Sequence, residues 1–281
     1  MNFDPRQVFL KVKDFTVSNE TFDLVKNENY DILKTLPQPS LENLPSYYQS
    51  ADYISHTDSK RSLFEKLYHL VKLKNLSDKV RLITKLQRGV GHVLDLGAGT
   101  GDFLKTAASV KWEITGVEPI EAARNLAAQK NITLLSDTKN LESAQFDIIT
   151  MWHVLEHVPN PVEQITELKR LLKPGGFIVV AVPNFKSFDA DYYQNFWAAY
   201  DVPRHLWHFS KNAIEKLFGD QQLILQEVKP MYFDAFYVSL LSEKYKTGKM
   251  NFIKGFWIGL KSNIKGMVSN EYSSQIYIIK K

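Results

Sequence analysis

The sequence predicts an α/β fold in which helices cover both faces of a mostly parallel sheet. From His92 onward, short apolar segments rich in β-branched residues alternate with segments of helical periodicity, and this alternation is typical of parallel sheets. The 281 residues are 44% hydrophobic, which suffices for one large domain or for a domain with an appendage. We therefore assign residues 81–281 to the main domain and residues 1–80 to a smaller N-terminal region.

The N-terminal region differs in pattern from the rest of the chain. Strand-like runs occupy residues 8–14 and 21–25, and two prolines interrupt the chain at residues 37–40. Apolar residues then recur at helical spacing between Leu63 and Leu86. We expect a lid or substrate-binding region that leads into helices packed on the main domain.

Seven strand candidates follow from His92. They occupy residues 92–97, 114–118, 132–135, 146–152, 177–183, 223–228 and 275–280. The helix after the fourth candidate has clear start signals, because Asn160 can cap it, Pro161 suits its first turn and Glu163 occupies the capping-box position. Residues 173–176 would end this helix, and residues 231–270 form a helical insertion before the last strand.

The strongest chemical signal is the loop that follows the first of these strands. Gly97, Gly99 and Gly101 occupy every second position between Asp95 and Asp102. Glycine permits positive φ and lets a ligand approach the backbone, and free N–H groups at the next helix favour an anionic group. The Lys-Ser or Lys-Thr of a phosphate loop is missing. Asp102 replaces the third glycine of a dinucleotide fingerprint, where we expect it to repel a pyrophosphate.

A second acid supports a ligand site beside this loop. Glu118 ends the second strand candidate, about 20 residues after Gly97, where an acid in a βαβ unit reaches ribose hydroxyls. A carboxylate can accept hydrogen bonds from both hydroxyls of a ribose. The alternative is a solvated acid at a strand end.

The pattern Asp95-x-Gly97-x-Gly99-x-Gly101 resembles the first motif of class I S-adenosylmethionine (SAM)-dependent methyltransferases. This resemblance implies a Rossmann-like sheet of seven mostly parallel strands, with the last strand as an antiparallel edge insertion. It also implies SAM as the cofactor, S-adenosylhomocysteine (SAH) as the product, and Asp137 as the acid that binds the adenine amino group. The implied cofactor-binding residues are Asp95, Gly97, Ala98, Gly99, Gly101, Glu118, Pro119, Asp137, Thr138, Met151, Trp152 and His153, with Tyr53 and His56 contributed by a lid.

A histidine-rich segment directly follows the fourth strand candidate. His153-x-x-Glu156-His157 matches the H-x-x-E-H pattern of zinc peptidases. That motif needs a long helix, and Pro159 limits a helix here to about a turn and a half. A zinc hydrolase is therefore an alternative, whereas the methyltransferase resemblance places residues 151–153 along the methionine part of SAM. Glu156 and His157 either are structural or face the substrate.

The candidate catalytic residues are His205, Arg204, His208 and Asp201, which share a stretch of eight residues, 201–208, in the segment that follows the fifth strand candidate. Because SAM is already activated, the protein mainly aligns the acceptor and removes its proton, a task that suits histidine. An arginine suits a substrate carboxylate or phosphate, or a developing enolate. A hydrogen-bonded loop that only orders the domain is the alternative for both histidines.

This segment is similar to bacterial small-molecule methyltransferases, including sugar C-methyltransferases and ubiquinone-type O-methyltransferases. In the sugar enzymes, the histidine that matches His205 is a proposed base and follows a glutamate, whereas Arg204 precedes it here. Members of the group also carry paired cysteines for zinc in the N-terminal region. This chain has no cysteine, so we expect no disulfide, no cysteine-ligated zinc and no metal cofactor.

Composition restricts the partners and the location. A net charge of +4 is too mild for a dedicated nucleic-acid binder. Without a signal peptide or a long apolar run, we expect a cytoplasmic monomer or homodimer. The basic aromatic insertion suits a membrane surface, a lipid-linked substrate, a substrate lid, a dimer contact or simple packing against the domain.

Together these features predict a SAM-dependent methyltransferase that transfers a methyl group to an oxygen or carbon of a small-molecule acceptor. A noncatalytic SAM-binding regulatory or scaffold subunit is the main alternative. It would need the glycine loop and Glu118, but it would not need His205.

Overall fold

The structure is a computed structural model that describes residues 1–40, 42–48 and 63–281, with side chains left out at Pro45 and at residues 63–70. The predicted lid residues Tyr53 and His56 lie outside the described residues. In chain order the strands are β1 (Val8–Lys13), β2 (Thr21–Asn27), β3 (Ile32–Leu36), β4 (His92–Leu96), β5 (Glu113–Val117), β6 (Phe146–Trp152), β7 (Leu172–Pro183), β8 (Trp207–His208), β9 (Ile224–Pro230) and β10 (Ser274–Lys280). The α-helices are α1 (Leu63–Gln87), α2 (Asp102–Ser109), α3 (Glu121–Ala128), α4 (Pro161–Leu171), α5 (Phe188–Tyr193), α6 (Lys211–Gly219), α7 (Asp234–Thr247) and α8 (Phe252–Ser269).

The main sheet has the strand order β5-β4-β6-β7-β10-β9. Strands β5, β4, β6 and β7 pair in parallel, while β10 is antiparallel to both β7 and β9. Strand β6 and the second half of β7, residues 177–183, are almost continuously apolar and buried, as expected for parallel strands that helices cover on both faces. The predicted α/β class with a mostly parallel sheet is therefore confirmed.

Two details of the predicted sheet are wrong. The described part of the main sheet has six strands and not seven, because residues 132–135 supply only an isolated bridge between Leu135 and Val117. Ile132 instead packs beneath the glycine loop, where its Cγ2 atom lies 3.0 Å from the position that a Cβ on Gly101 would take. The last strand, β10, is antiparallel as expected, but it lies inside the sheet and leaves β9 at the edge.

A second sheet joins the N-terminal strands to a segment from late in the chain. Its order is β1-β2-β3-β8, and β8 pairs with β3 through Leu33 opposite His208 and Lys34 opposite Trp207. The sequence patterns indicated neither β3 nor β8. This pairing places the segment around His205 against the N-terminal region.

The helices α7 and α8 fill the chain between β9 and β10 and pack closely on each other. A Cβ on Gly255 would lie 3.0 Å from the Cα of Leu240, and one on Gly259 would lie 2.8 Å from the Cα of Phe236. Glycine at these positions lets the two helix backbones approach. None of the helices in the described ranges is long and apolar enough to span a bilayer.

Candidate active site

The loop from β4 to α2 depends on its three glycines. Gly97, Gly99 and Gly101 have φ values of 67°, 53° and 75°, which lie in the left-handed region that favours glycine. A Cβ on Gly97 would lie 2.5 Å from a methyl group of Val154, whereas a Cβ on Gly99 would meet nothing within 4 Å. The loop therefore packs tightly at Gly97 and borders open space at Gly99, as a ligand cradle requires.

Glu118 is held against this loop. Its Oε2 atom accepts a hydrogen bond from the backbone N–H of Gly99 at 2.8 Å, and its Oε1 atom accepts one from Ile120 at 3.0 Å. The side chain is buried. Each carboxylate oxygen keeps capacity for a further donor, so Glu118 can accept hydrogen bonds from the two hydroxyls of a ribose beside Gly99.

Asp95 lies beneath the loop at the end of β4. It is buried and accepts a hydrogen bond from the Thr150 hydroxyl at 2.6 Å. Burial raises the pKa of Asp95 to about 7, although the Thr150 hydrogen bond and the nearby Lys79 oppose this shift. Asp95 therefore links β4 to β6 and is a partly protonated acid near neutral pH.

Asp102 does not act as the sequence led us to expect. Its carboxylate lies 2.7 Å from the Lys72 ammonium and 2.5 Å from the Lys130 ammonium. Because two cations neutralise Asp102, the expected repulsion of a pyrophosphate is wrong. The spacing of the three glycines is then the one feature of this loop that disfavours a dinucleotide.

The end of β6 presents an unsatisfied donor next to the loop. The indole Nε1 of Trp152 is buried and has no acceptor among the described residues, a state that costs free energy unless a ligand supplies the acceptor. The Lys79 ammonium lies 4.3 Å from the centroid of the Trp152 ring, and Phe103 packs edge-on against the same ring. The neighbouring Met151 is fully buried in the core, so its side chain is not exposed at the sheet edge.

His153 is fixed between two carboxylates. Its Nε2 atom lies 3.1 Å from Asp234 Oδ2, and its Nδ1 atom lies 3.4 Å from Glu156 Oε1. Burial opposes protonation, but the two carboxylates outweigh it and raise the pKa of His153 to about 10. His153 is therefore an imidazolium at neutral pH and does not serve as a proton acceptor.

The residues expected at the adenine end lie beyond β5. The Leu135 bridge brings the following residues, Asp137 and Thr138, towards the sheet edge that carries Glu118. Asp137 is exposed and accepts a hydrogen bond from the Lys139 N–H at 3.0 Å. Pro119 is also exposed, so both residues are accessible to a ligand.

The two histidine-bearing segments of the sequence meet in the structure. The N–H of Leu206 donates to the carbonyl of Glu156 at 2.8 Å, and the N–H of Thr35 donates to the carbonyl of Leu206 at 3.0 Å. The rings of His157 and His205 pack edge to face with centroids 4.6 Å apart. A short 3-10 turn, Leu155–His157, thus lies beside the segment that the sequence marked as catalytic.

His205 has the properties of a neutral base. Its Nδ1 lies 2.9 Å from the carbonyl of Ala199 and therefore carries the proton, which leaves the lone pair on Nε2. Burial, reinforced by His157, lowers the pKa of His205 to about 4, although Asp201 and Glu156 oppose this shift. Asp201 Oδ2 lies 4.0 Å from Nε2.

His208 differs from His205, because its Nε2 lies 3.0 Å from the Thr35 hydroxyl. That hydroxyl donates to the His205 carbonyl at 2.7 Å, so at this contact His208 is the donor. Burial, reinforced by His205, lowers the pKa of His208 well below the usual value. These contacts make His208 part of the β3–β8 connection rather than of a substrate site.

Arg204 is committed to contacts within the protein. The guanidinium donates to Asp201 at 2.7 Å, to Asp14 at 3.0 Å and to the Tyr47 carbonyl at 2.9 Å, and the residue is only 2% exposed. We expected Arg204 to bind a substrate anion, but its guanidinium already has these partners within the protein. Arg204 and Asp201 instead tie the candidate catalytic loop to the N-terminal region.

Several residues of the site gave no signal in the sequence. Asp14, Thr35 and Asp234 reach the site through tertiary contacts, and Lys79 is one lysine among several on α1. Glu156 did lie in a marked motif, and its buried carboxylate has the His153 imidazolium as a partner, 3.4 Å from Oε1.

The zinc site of the H-x-x-E-H interpretation is wrong. Residues 155–157 form a single 3-10 turn, not a long helix, and His153 is paired with Asp234. Within the described ranges, the group of side chains close enough to share a metal ion is Glu156, His157 and His205, whose ligand atoms lie within 4.8 Å of one another. This set differs from the one that the motif requires.

The fold and the ligand cradle are those of a class I SAM-dependent methyltransferase. The open space over Gly99, the Glu118 carboxylate and the unsatisfied Trp152 donor fit SAM as the cofactor. A family model described as a methyltransferase domain matches residues 65–228, which is more than half of the chain. The chain belongs to this methyltransferase-domain family.

Curated relatives share part of this domain. The chain is 33% identical over 133 residues to a ubiquinone biosynthesis O-methyltransferase of Coxiella burnetii (strain Dugway 5J108-111), covering 43% of this chain and 54% of that protein. It is 34% identical over 104 residues to the enzyme of the same name from Shewanella halifaxensis (strain HAW-EB4), covering 33% and 44%. The chain thus spans about half the length of the curated relatives it matches.

Solved structures show the same fold at lower identity. A SAM-dependent methyltransferase from Archaeoglobus fulgidus superposes with a TM-score of 0.51 at 19% identity, covering 74% of this chain and 94% of the other. Phosphoethanolamine N-methyltransferase 2 of Haemonchus contortus, in a complex with SAH, gives a TM-score of 0.51 at 16% identity, covering 73% and 52%. At these identities the similarity concerns the fold alone.

Proposed function

We propose that this protein transfers a methyl group from SAM to an oxygen or carbon of a small-molecule acceptor, with His205 as the base. The observation that carries the proposal is the arrangement after β6. Trp152 packs on Phe103 of α2, the helix that follows the glycine loop, and four residues later the carbonyl of Glu156 accepts a hydrogen bond from the N–H of Leu206, next to His205. The similarity to ubiquinone biosynthesis O-methyltransferases supports oxygen as the methylated atom.

The cofactor half of the site holds and orients SAM. Glu118 accepts hydrogen bonds from the ribose, the Trp152 indole donates to an acceptor on the ligand, and Asp137 meets the adenine amino group. Ala98 and Thr138 lie in the same two loops, and Pro119 follows Glu118 directly. SAM supplies a methyl group on a positively charged sulfur, which leaves with the bonding electron pair as SAH.

The acceptor half removes a proton. The lone pair on Nε2 of His205 takes the proton from the acceptor hydroxyl or C–H as the acceptor atom bonds to the methyl carbon. Asp201, 4.0 Å from this nitrogen, stabilises the imidazolium that forms. Alignment of the reacting atoms accounts for most of the rate enhancement, because the leaving group needs no further activation.

The N-terminal region contributes to the same half of the site. The Tyr48 hydroxyl lies 3.1 Å from His157 Nδ1, and Asp14 binds Arg204. We propose that residues 1–80 cover the acceptor, with Tyr53 and His56 in the covering segment, and that residues 81–281 bind SAM. The boundary falls inside α1, whose Lys72 and Lys79 contact Asp102 and Trp152 of the cofactor half. The two regions are thus complementary parts of one site.

Calorimetric titration with SAH tests the cofactor site. Gly99→Arg fills the open space over the loop and is expected to abolish binding. Gly175→Arg is the matched control, because Gly175 also has positive φ (80°) and open space at its Cβ. Failure of the unmodified protein to bind SAH, or equal binding by both variants, would refute the proposed cofactor site.

Turnover distinguishes an enzyme from a noncatalytic SAM-binding subunit. The assay follows transfer of a labelled methyl group from SAM to components of a metabolite extract. His205→Ala is expected to bind SAH normally and to lose transfer, and His208→Gln serves as the comparison. Unchanged transfer in His205→Ala would refute its role as the base, and no transfer by the native protein with any fraction would favour a noncatalytic subunit.

A further inference from the structure

The helix α8 has an unusual distribution of side chains. The face that packs against the protein consists of small and polar residues, which are Gly255, Gly259, Ser262, Asn263 and Gly266. The rest of the helix surface carries large apolar side chains that are each more than half exposed. These are Ile253 (75%), Phe256 (52%), Trp257 (62%), Ile264 (54%), Met267 (66%) and Val268 (86%).

These side chains other than Phe256, together with Leu260, form one continuous stripe. At 3.6 residues per turn, positions 253, 257, 260, 264, 267 and 268 share one side of a helix. The buried glycines occupy the other side, where the α7 backbone lies within 3.0 Å of the Cβ positions of Gly255 and Gly259 and the Tyr272 ring lies 2.6 Å from that of Gly266. The stripe is therefore not covered by α7, whereas Phe256 beside it stacks on Phe236 of that helix with ring centroids 5.3 Å apart.

Lysines flank this stripe on one side. Residues 244–270 contain six lysines and no acidic residue. On α8, Lys254, Lys261 and Lys265 follow one row next to the apolar stripe. The Lys254 ammonium lies 3.2 Å from the Glu243 carboxylate, and the Lys261 ammonium lies 5.0 Å from the centroid of the Phe188 ring. Both ammonium groups therefore lie close to the body of the protein.

We propose that α8 docks the protein on a bilayer surface that contains anionic lipids. The apolar stripe enters the boundary between headgroups and acyl chains, and Lys261 and Lys265 bind the lipid phosphates, whereas Lys254 is paired with Glu243. Charge favours this occupant over a second copy of the chain. Two copies of α8 would bring two lysine rows together without an acidic partner in the segment, which costs electrostatic energy.

The docking helix α8 packs on α7, and α7 is connected to both halves of the proposed active site. Asp234, the first residue of α7, pairs with His153 at the end of β6. Ser242 of the same helix accepts a hydrogen bond from the Ala198 N–H at 2.9 Å, next to the Ala199 carbonyl that holds His205. Docking through α8 therefore fixes the orientation of the acceptor half relative to the lipid surface.

Co-sedimentation with vesicles tests the proposal. The intact protein is mixed with vesicles of phosphatidylcholine alone or of equal parts phosphatidylcholine and phosphatidylglycerol. We expect binding to the anionic vesicles that weakens as salt is raised, because screening reduces the lysine contribution. No binding to either vesicle, or binding that is indifferent to phosphatidylglycerol and to salt, would overturn the proposal.

Variants of exposed residues identify the surface without disturbing the core. The double variant Ile253→Ser/Trp257→Ser is expected to weaken partitioning at least about tenfold, since two large apolar side chains lose their burial in lipid. The control is Ile224→Ser on β9, whose side chain is 64% exposed. Equal binding by the double variant and the control would contradict the assignment of this stripe.

Charge reversal and self-association complete the test. Lys261→Glu/Lys265→Glu is expected to lose roughly tenfold or more of the anionic binding, whereas Lys105→Glu on α2 is expected to retain it. Sedimentation analysis without vesicles examines the competing occupant. A dimer that the double apolar variant dissociates, together with no vesicle binding, would assign the stripe to a second copy of the chain and overturn the proposal.

Discussion

Replacing Glu118 with alanine should separate the cofactor site from the rest of the protein. The carboxylate binds the N–H groups of Gly99 and Ile120 at 2.8 and 3.0 Å, and it retains capacity for two ribose hydroxyls. Hydrogen bonds to charged groups contribute about 1.5–3 kcal/mol each. Loss of two such bonds, about 3–6 kcal/mol together, should weaken SAH binding roughly 100- to 10,000-fold.

Calorimetry of SAH binding measures this effect, and circular dichroism checks that the variant is folded. Glu118→Gln should show a smaller loss, since the amide keeps one acceptor oxygen for a hydroxyl. Glu113→Ala is the matched control, because Glu113 occupies the other end of β5 and its side chain is 75% exposed. A folded Glu118→Ala protein that binds SAH within about threefold of the native affinity would refute the ribose assignment.

Three further predictions concern the acceptor half and the helix pair. Because the pKa of His205 is about 4, protonation should not limit activity between pH 6 and 8, and kcat/KM should fall only as pH drops towards this pKa; a midpoint near 6.5 would contradict the burial argument. Arg204→Met should destabilise the fold by about 3–5 kcal/mol, since it leaves the buried Asp14 and the partly buried Asp201 without their cation; chemical denaturation compares it with the exposed Arg81→Met, and equal stabilities would contradict the network. Gly259→Val should lower stability by about 1–3 kcal/mol through a clash with the α7 backbone, whereas Gly219→Ala, with open space at its Cβ, should change it little.

The cofactor half could be predicted because its information is local. The strand β6 has the bounds that its apolar run indicated, and the loop glycines lie between consecutive elements. Loop, helix and following strand form one βαβ unit, so their order in the sequence determines their arrangement in space. Residues 132–135 resembled the other strands, but the packing of Ile132 under the loop limits their pairing to a single bridge.

The acceptor half could not be predicted in the same way. Nothing near Arg204 indicates that Asp14 neutralises it from 190 residues away, so the sequence left a substrate anion as the natural partner. The protonated state of His153 depends on Asp234, which belongs to the helical insertion. Long-range pairs of this kind decide whether a histidine accepts a proton or carries a fixed charge.

The pairing of β3 with β8 also has a consequence for how the protein folds. The Thr35 hydroxyl and the His205 carbonyl are 170 residues apart in the chain, so their contact closes a long loop and forms at an entropic cost. The βαβ unit around Gly99 requires no such closure. We expect the cofactor cradle to form first and His205 to reach its place last, so that the amides of Thr35 and Leu206 gain protection from hydrogen exchange together and after those of β4.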